Sequence, residues 1–406
     1  MTVVLYEGPN FSGRSDALRN FAWNAGTTSG SGQYLNSLLD NNLSGLARSV
    51  RGELRLHRAQ KLGRIESSTA IQELIGYLSP DQTIMSLSGG ETVRLLIACA
   101  IALQPERIAI DGLLEQLDRR SRPAIGDVLS SSKLGIEFHV SDNDPQAITT
   151  LFDRHIKFER GANSVDLNSR LLALSERVSQ QRVSAPSLGL EGLCFSYPSS
   201  NRPVFDRADY SFQPGRPYIL KAPNGAGKST LARLLCGVLA PQSGRLDVAG
   251  QSFSPHRSRD NLIFYAFQNP LDQIFGTTTR AYLDALSNVA AQRKTFLAGK
   301  IGLTTDDVLA GLGITPFAEA EPFELPFVVA KRLSLAGALL ARSPWIFLDE
   351  PALSSDADGR AGLRHLVQAL CEAGFGTIIV SHGEEFDGLP HSTPVTIQGG
   401  KIREGV

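Results

Sequence analysis

The chain has 406 residues, more than one hydrophobic core usually organises, so two domains are the first expectation. Its 40 basic and 41 acidic residues leave a formal charge of −1, with no Lys/Arg block of the kind that marks a nucleic-acid arm, so no nucleic-acid partner is expected. No run approaches the ~18 apolar residues of a membrane span, the N-terminal M-T-V-V-L-Y-E-G-P-N lacks the flank and apolar core of a secretory leader, and Cys99, Cys194, Cys236 and Cys371 form no C-x-x-C pair, the pattern of reduced core thiols in a cytosolic protein.

In chain order, an apolar strand leads into G-P-N-F-S-G-R-S (Gly8 to Ser15), a glycine-containing turn that opens a helix. L-S-G-G-E (Leu87 to Glu91) precedes an apolar helical run stopped by Pro105. I-A-I-D-G (108 to 112) reads as a strand ending on Asp111, and V-S-D (Val140 to Asp142) ends another. Residues 162 to 187 are polar, a linker with a helical stretch, and from Leu188 the pattern starts again.

Asp111 follows Leu87, and Asp349 follows Leu325, at the same offset of 24 (111 − 87; 349 − 325), with Arg94 and Arg332 seven residues after each leucine. V-S-D in the first half is matched by V-S-H (Val380 to His382) in the second. The chain therefore reads as two diverged copies of one domain, residues 1–161 and 188–406, joined by the linker 162–187. Short β-branched runs such as Y-I-L-K-A (218 to 222) and T-I-I-V-S (377 to 381) alternate with longer helical patterns. That alternation predicts an α/β fold with mainly parallel sheets flanked by helices, and ligands at the carboxyl ends of the strands.

A-P-N-G-A-G-K-S-T (Ala222 to Thr230) follows a strand and opens a helix, and it fits the phosphate loop G-x-x-x-x-G-K-[S/T] except that Ala222 replaces the first glycine. Asn224, Gly225, Ala226 and Gly227 let backbone N–H groups curl around phosphates. Lys228 neutralises the β and γ groups, and Ser229, followed by Thr230, places a hydroxyl for Mg²⁺ at the helix N-terminus. W-I-F-L-D-E-P (345 to 351) delivers Asp349 as a second Mg²⁺ ligand, with Glu350 beside it as a base for water.

These motifs resemble the ATP-binding cassette family over nearly the whole chain. The resemblance implies two tandem P-loop NTPase domains and an ATPase using ATP and Mg²⁺. In that family a signature L-S-G-G-Q is presented by one domain to the γ-phosphate held by the other, and Ser88, Gly89 and Gly90 in L-S-G-G-E match it. Tyr197 in F-S-Y-P resembles the adenine-stacking aromatic, with a core tyrosine as the alternative. Gln268 in A-F-Q-N-P resembles the loop glutamine that senses Mg²⁺ and the attacking water. His382 resembles the switch histidine, and Leu353 to Asp356 the loop that crosses to the partner domain.

The losses fall in a pattern. In the first copy Arg14 stands where lysine belongs, Gly112 is expected to replace the base and Asp142 the histidine, no glutamine aligns, and no segment for an adenine-stacking aromatic is expected before the phosphate-loop strand. In the second, the signature position reads L-P-F-V-V (Leu325 to Val329). One composite site is complete, and the other is expected not to hydrolyse ATP. Pairing of the two copies within the chain is the expectation; pairing between separate chains is the alternative.

F-Q-N-P-L-D-Q-I-F (Phe267 to Phe275) resembles the corresponding loop of the ATPases of energy-coupling-factor importers, in which a second glutamine, here Gln273, contacts the transmembrane subunit. That resemblance implies an integral membrane coupling subunit and a substrate-binding membrane subunit for a vitamin or metal ion. It also places the chain in the cytoplasm, peripheral on the inner face of the membrane. Another ABC transporter, or a soluble cassette ATPase acting on ribosomes or DNA, is the alternative.

Overall fold

The computed structural model describes residues 3–7, 9–10, 12–23, 32–37, 39–59, 69–117, 121–130, 134–143, 152–159, 166–198, 202–223, 225–253, 262–292 and 302–405. It divides into two compact units: Met1–Ser164 with Ser354–Ala357, and Val165–Leu353 with Asp358–Val406. The division differs from the expected one in the linker. Helix Leu167–Ser179 belongs to the second unit, where Leu167, Leu171, Leu174 and Val178 join its helical core. The reason is spacing: those four residues recur at three- and four-residue intervals, which puts them on one face of a helix. Gly311 and Gly362 make room for that face, since a Cβ on either would meet Leu174 at 2.7 Å or Leu171 at 2.5 Å.

In the first unit, strands β1 (Val3–Glu7), β2 (Gly32–Asn36), β3 (Arg107–Asp111), β4 (Glu137–Ser141) and β5 (Arg154–Lys157) form one parallel sheet in the order β2-β3-β4-β1-β5. The central strands are apolar along their length, as a sheet covered on both faces requires: Ile108, Ala109 and Ile110 are fully buried. Helix Gly89–Ala102 is buried from Thr92 onward except at Arg94, and its buried positions are correspondingly apolar apart from Thr92.

The second unit has the same plan with additions. Its strands are β6 (Leu188–Phe195), β7 (Phe205–Phe212), β8 (Pro217–Leu220), β9 (Ser243–Val248), β10 (Gln251–Phe253), β11 (Ile263–Ala266), β12 (Trp345–Asp349), β13 (Gly376–Val380), β14 (Thr393–Gln398) and β15 (Lys401–Glu404). A six-stranded sheet, β11-β12-β13-β8-β14-β15, is parallel except for the closing hairpin, whose Gly399 and Gly400 both take the positive φ that a two-residue turn demands. β10-β9-β6-β7 form a separate antiparallel sheet with no counterpart among the described residues of the first unit. β12 is buried throughout, and Gly376 on β13 lies under Trp345, where a Cβ would come within 2.2 Å of the indole. Tight packing here fixes the strand that ends on Asp349.

Strand order repeats between the units, and Asp111 pairs with Ser141 as Asp349 pairs with Val380; this register places Asn143, and not the Asp142 expected from V-S-D, at the position of His382, because the strand pairing and not the two-residue V-S match sets the equivalence. The fold is thus α/β, with two tandem P-loop NTPase domains, the first shortened.

Candidate active site

The phosphate loop of the second unit joins β8 to helix Lys228–Leu235. Gly225 and Gly227 have φ of +77° and +108°, and a Cβ on Gly227 would lie 2.6 Å from Val204 Cγ1 and 3.2 Å from Phe205 Cζ. Only glycine fits there. Gly227→Ala is expected to add about 1–3 kcal/mol of local strain, seen as a half-saturating ATP concentration about 5- to 150-fold higher. An unchanged ATP titration would show that the loop does not need this shape. Ala226 packs against the adjoining core, and Asn224 lies outside the described residues.

Lys228 is buried at the mouth of the loop, donating to the main-chain oxygens of Ala222 (2.7 Å) and Pro223 (3.2 Å). Burial holds its ammonium below the usual lysine range, against the opposing pull of Glu350 and Asp349. A partly desolvated cation with a spare hydrogen gains most from an incoming phosphate.

Ser229 Oγ lies 3.4 Å from Asp349 Oδ2, so the first turn of the helix and the end of β12 converge. A hydroxyl and one carboxylate are hard oxygen donors of the kind Mg²⁺ takes alongside substrate phosphates. Gln268, two residues beyond β11, is exposed. Tyr265 donates to the same Asp349 oxygen at 2.7 Å, which orients the carboxylate. Sequence reading does not reach this tyrosine. Its signal is the repeat: Tyr34, at the matching register of the first unit, donates to Asp111 at 2.6 Å. The same register puts Ser37 at the position of Gln268, which explains why no glutamine aligns there.

Glu350 sits in the left-handed region (φ +50°), its N–H donating to Val380 O at 3.1 Å. The side chain is buried, and Oε1 has no hydrogen-bond partner; His382 Nε2 stands 3.5 Å away, too long for a well-formed bond. Burial, then the charges of Asp349 and Glu385, push its carboxyl up to about 8. A buried acceptor with an open lone pair and a proton affinity near neutrality is what a general base for water requires. His382, half exposed after β13, adds a donor at the same rim. The geometry therefore gathers Lys228, Ser229, Asp349, Glu350 and His382.

Tyr197 packs edge-on against Phe195 (5.0 Å between centroids), and its hydroxyl is 3.1 Å from Thr230 Oγ1. It is half-buried beside the phosphate-loop helix, so part of the ring remains available for stacking.

Gln273 departs from its expected role. Its Nε2 donates to Tyr265 O (2.7 Å), and its Oε1 accepts from Phe267 N (3.3 Å) and Ser334 Oγ (3.1 Å). The side chain is turned inward and holds its own loop together. The short 3₁₀ turn Pro270–Asp272 brings the amide back over the strand end it follows.

The first unit's phosphate loop is filled from within. Arg14 donates to Asp142 O (3.2 Å), Asn10 Oδ1 (3.3 Å) and Asn143 Oδ1 (2.6 Å). Asp142 is 1% exposed and pairs with Arg122 at 3.4 Å; Arg122 also donates to Leu117 O and Glu115 O. Glu115 accepts from Asn143 N at 2.8 Å and is held above the usual carboxylate range by burial. Asp111 accepts from Tyr34 and from Ser141 Oγ (2.5 Å). Two buried carboxylates and an arginine that already has three acceptors stand where phosphates would lie, and their charge opposes a triphosphate.

Ser88 is the N-cap of helix Gly89–Ala102 in a capping box, its hydroxyl donating to Glu91 Oε2 at 2.9 Å. Gly89 and Gly90 carry N–H groups of the first turn, which no helical carbonyl takes up. The matching helix of the second unit, Phe327–Leu340, is capped by Pro326 without a side-chain bond, and Leu325, Val328 and Val329 are in the core. Buried apolar residues replace the signature there.

Fold and phosphate loop together define a P-loop nucleoside triphosphatase. A family model described as ABC transporter matches residues 205–353. An ABC transporter ATP-binding protein of Streptomyces avermitilis is 32% identical over 194 residues, 47% of this chain and 72% of that protein. The energy-coupling factor transporter ATP-binding protein EcfA1 of Halalkalibacterium halodurans is 31% identical over 196 residues, 48% of this chain and 69% of that one. The chain belongs to the ABC transporter ATP-binding family, and is an ATPase that uses ATP with Mg²⁺. It spans about half the length (49%) of some longer relatives it matches. In fold it is similar to a ribosome-bound archaeal ABCE1, with a TM-score of 0.68, 19% identity, and coverage of all of this chain and 74% of that one. Among the described residues no helix is long and apolar enough to cross a membrane.

Proposed function

We propose that the chain hydrolyses ATP at a single site. Lys228, Ser229, Gln268, Asp349, Glu350 and His382 come from the second unit, and Ser88, Gly89 and Gly90 from the first supply the signature. The observation that carries this is the contrast between the two phosphate loops. Lys228 is held only by main-chain oxygens in the bonds described, whereas Arg14 is committed to side chains and a carbonyl beside two buried carboxylates. In the reaction Glu350 accepts the proton of the attacking water while Lys228 and His382 donate toward the γ-phosphate; Mg²⁺, held at Ser229 and Asp349, supplies charge neutralisation when bound.

Single-turnover hydrolysis by the full chain loaded with ATP and Mg²⁺ is expected to release one phosphate per chain, and release of two would sink the single-site reading. Ser88→Arg is expected to abolish turnover while ATP still binds, because the bulk falls on the signature and leaves the phosphate loop intact. Normal hydrolysis in that variant would remove Ser88 from the site.

The work driven by hydrolysis is uptake through an energy-coupling-factor type importer, with an integral membrane coupling subunit and a substrate-binding membrane subunit for a vitamin or metal ion. The relative named as an energy-coupling factor ATPase and the loop Phe267 to Phe275 support this, and Phe275 is an exposed aromatic (51%) at the end of that loop. The chain then sits on the cytoplasmic face of the membrane. Affinity purification from detergent-solubilised host membranes tests it. Recovery with two integral membrane proteins is expected, and recovery with ribosomes from the soluble fraction would overturn the importer reading while leaving the ATPase chemistry in place.

A further inference from the structure

Lys331 lies on helix Phe327–Leu340, the helix that in this unit has lost its signature, and nothing in the motif reading gives it a role. It is buried (6% exposed), with its ammonium 6.0 Å from the Phe327 ring centroid. Burying a lysine cation is costly unless donors and acceptors are matched closely. Here the matching is specific: Nζ donates to Asp349 O at 2.8 Å and to Phe267 O at 3.3 Å. Asp349 is the Mg²⁺ ligand of the proposed site, and Phe267 is the residue immediately before Gln268.

One ammonium therefore spans the two backbone segments whose side chains must meet one metal ion and one water. The same helix acts a turn further on. Ser334, three residues later, donates to Gln273 Oε1, and Gln273 accepts from Phe267 N and donates to Tyr265 O. Phe267 is thus gripped at its carbonyl by Lys331 and at its N–H by Gln273, both anchored on helix Phe327–Leu340.

We propose that Lys331, with Gln273, is a positioning residue for ATP hydrolysis, fixing Gln268 relative to Asp349 and Glu350 by bonding the two main-chain segments that carry them. This rests on the site reading above. It assigns the degenerate helix of the second unit a task of its own: with the signature gone from its N-terminus, its middle turn still sets the distance between the glutamine loop and the metal-ligand strand. Lys331 does not touch substrate. Its effect passes through the backbone of Phe267 and Asp349, so losing it should loosen the metal-and-water arrangement more than the grip on the triphosphate.

The test is steady-state hydrolysis by the full chain, with ATP varied at saturating Mg²⁺ and Mg²⁺ varied at saturating ATP. Lys331→Met keeps length and apolar bulk and removes the donors. It is expected to lower kcat about 10- to 100-fold, the usual effect of losing a residue that orients metal ligands. Its KM for ATP should stay within about threefold, with the half-saturating Mg²⁺ concentration raised. Lys331→Arg, which keeps the cation and its donors, should recover part of kcat. A Lys331→Met enzyme with unchanged kcat and Mg²⁺ dependence overturns the proposal. So does a variant whose KM for ATP rises as much as its kcat falls, because that is a general loosening of the domain. If Lys331→Met does not fold, Gln273→Leu is read by the same criteria, since it releases the other side of the same peptide. Asp349→Asn, run alongside, is expected to be inactive. Activity in it sinks the site assignment itself, whereas an inactive Asp349→Asn beside a wild-type Lys331→Met sinks only the positioning role.

Discussion

Glu350→Gln is expected to lower ATP turnover about 10²- to 10⁴-fold, the contribution of a positioned general base, while the nucleotide-free protein melts no lower than wild type. Both halves follow from the same geometry. The amide cannot accept the proton of water, so the chemical step loses its base. The carboxyl it replaces is an expense to the fold: it is buried, Oε1 has no hydrogen-bond partner, and Asp349 and Glu385 oppose its charge. A neutral side chain of the same shape removes that penalty. Glu350→Gly goes further, because the residue has φ +50°, and a non-glycine residue in the left-handed region costs about 1–2 kcal/mol. The first unit already contains this experiment. Gly112 has φ +64° and makes the equivalent N–H bond, to Ser141 O at 3.2 Å. Where no base is needed, the strained position is filled by the residue that relieves the strain. Melting curves without nucleotide and initial-rate assays check the pair of expectations. A Glu350→Gln enzyme turning over at the wild-type rate would place the base elsewhere.

Arg122→Met is expected to destabilise the first unit by about 3–5 kcal/mol, the cost of leaving one partner of a buried ion pair uncompensated. For a unit of this size, that lowers its melting transition by about 6–20 °C. Arg122 is the hinge of the filled site: it faces the carboxylate of Asp142 and donates to the carbonyls of Leu117 and Glu115, with the Glu115 carboxyl buried nearby. Without it Asp142 becomes a buried carboxylate lacking its ion-pair partner. The double variant Arg122→Met with Asp142→Leu is expected to regain part of the loss, because an apolar pair of similar volume avoids the desolvation of both charges. Calorimetry of the four proteins of this cycle decides it. Equal melting of Arg122→Met and wild type would mean that the cluster is not what holds the site closed.

The sequence by itself determined the α/β plan and the phosphate loop, and it singled out Lys228, Ser229, Asp349 and Glu350 as the residues proposed for the site. These are legible because a strand, a turn and a helix start lie within about ten residues, so side-chain type and spacing already dictate what the loop can hold. It also pointed to the expected losses, Arg14 and Gly112 in one half and Leu325 to Val329 in the other, by comparing two copies of one pattern, but it placed the replaced histidine at Asp142, one residue before the Asn143 that the strand register gives. What only the tertiary structure decided is how the charges are paired. Lys331 reaches Asp349 across 18 residues, Tyr265 reaches it across 84, and Arg14 reaches Asn143 across 129. Such partners meet because parallel strands bring distant segments side by side, and nothing in the spacing of either segment announces the other. The same reason turned Gln273 inward and drew residues 167–179 into the core of the second unit. A glutamine's bonds and a helix's apolar face are settled by what folds against them.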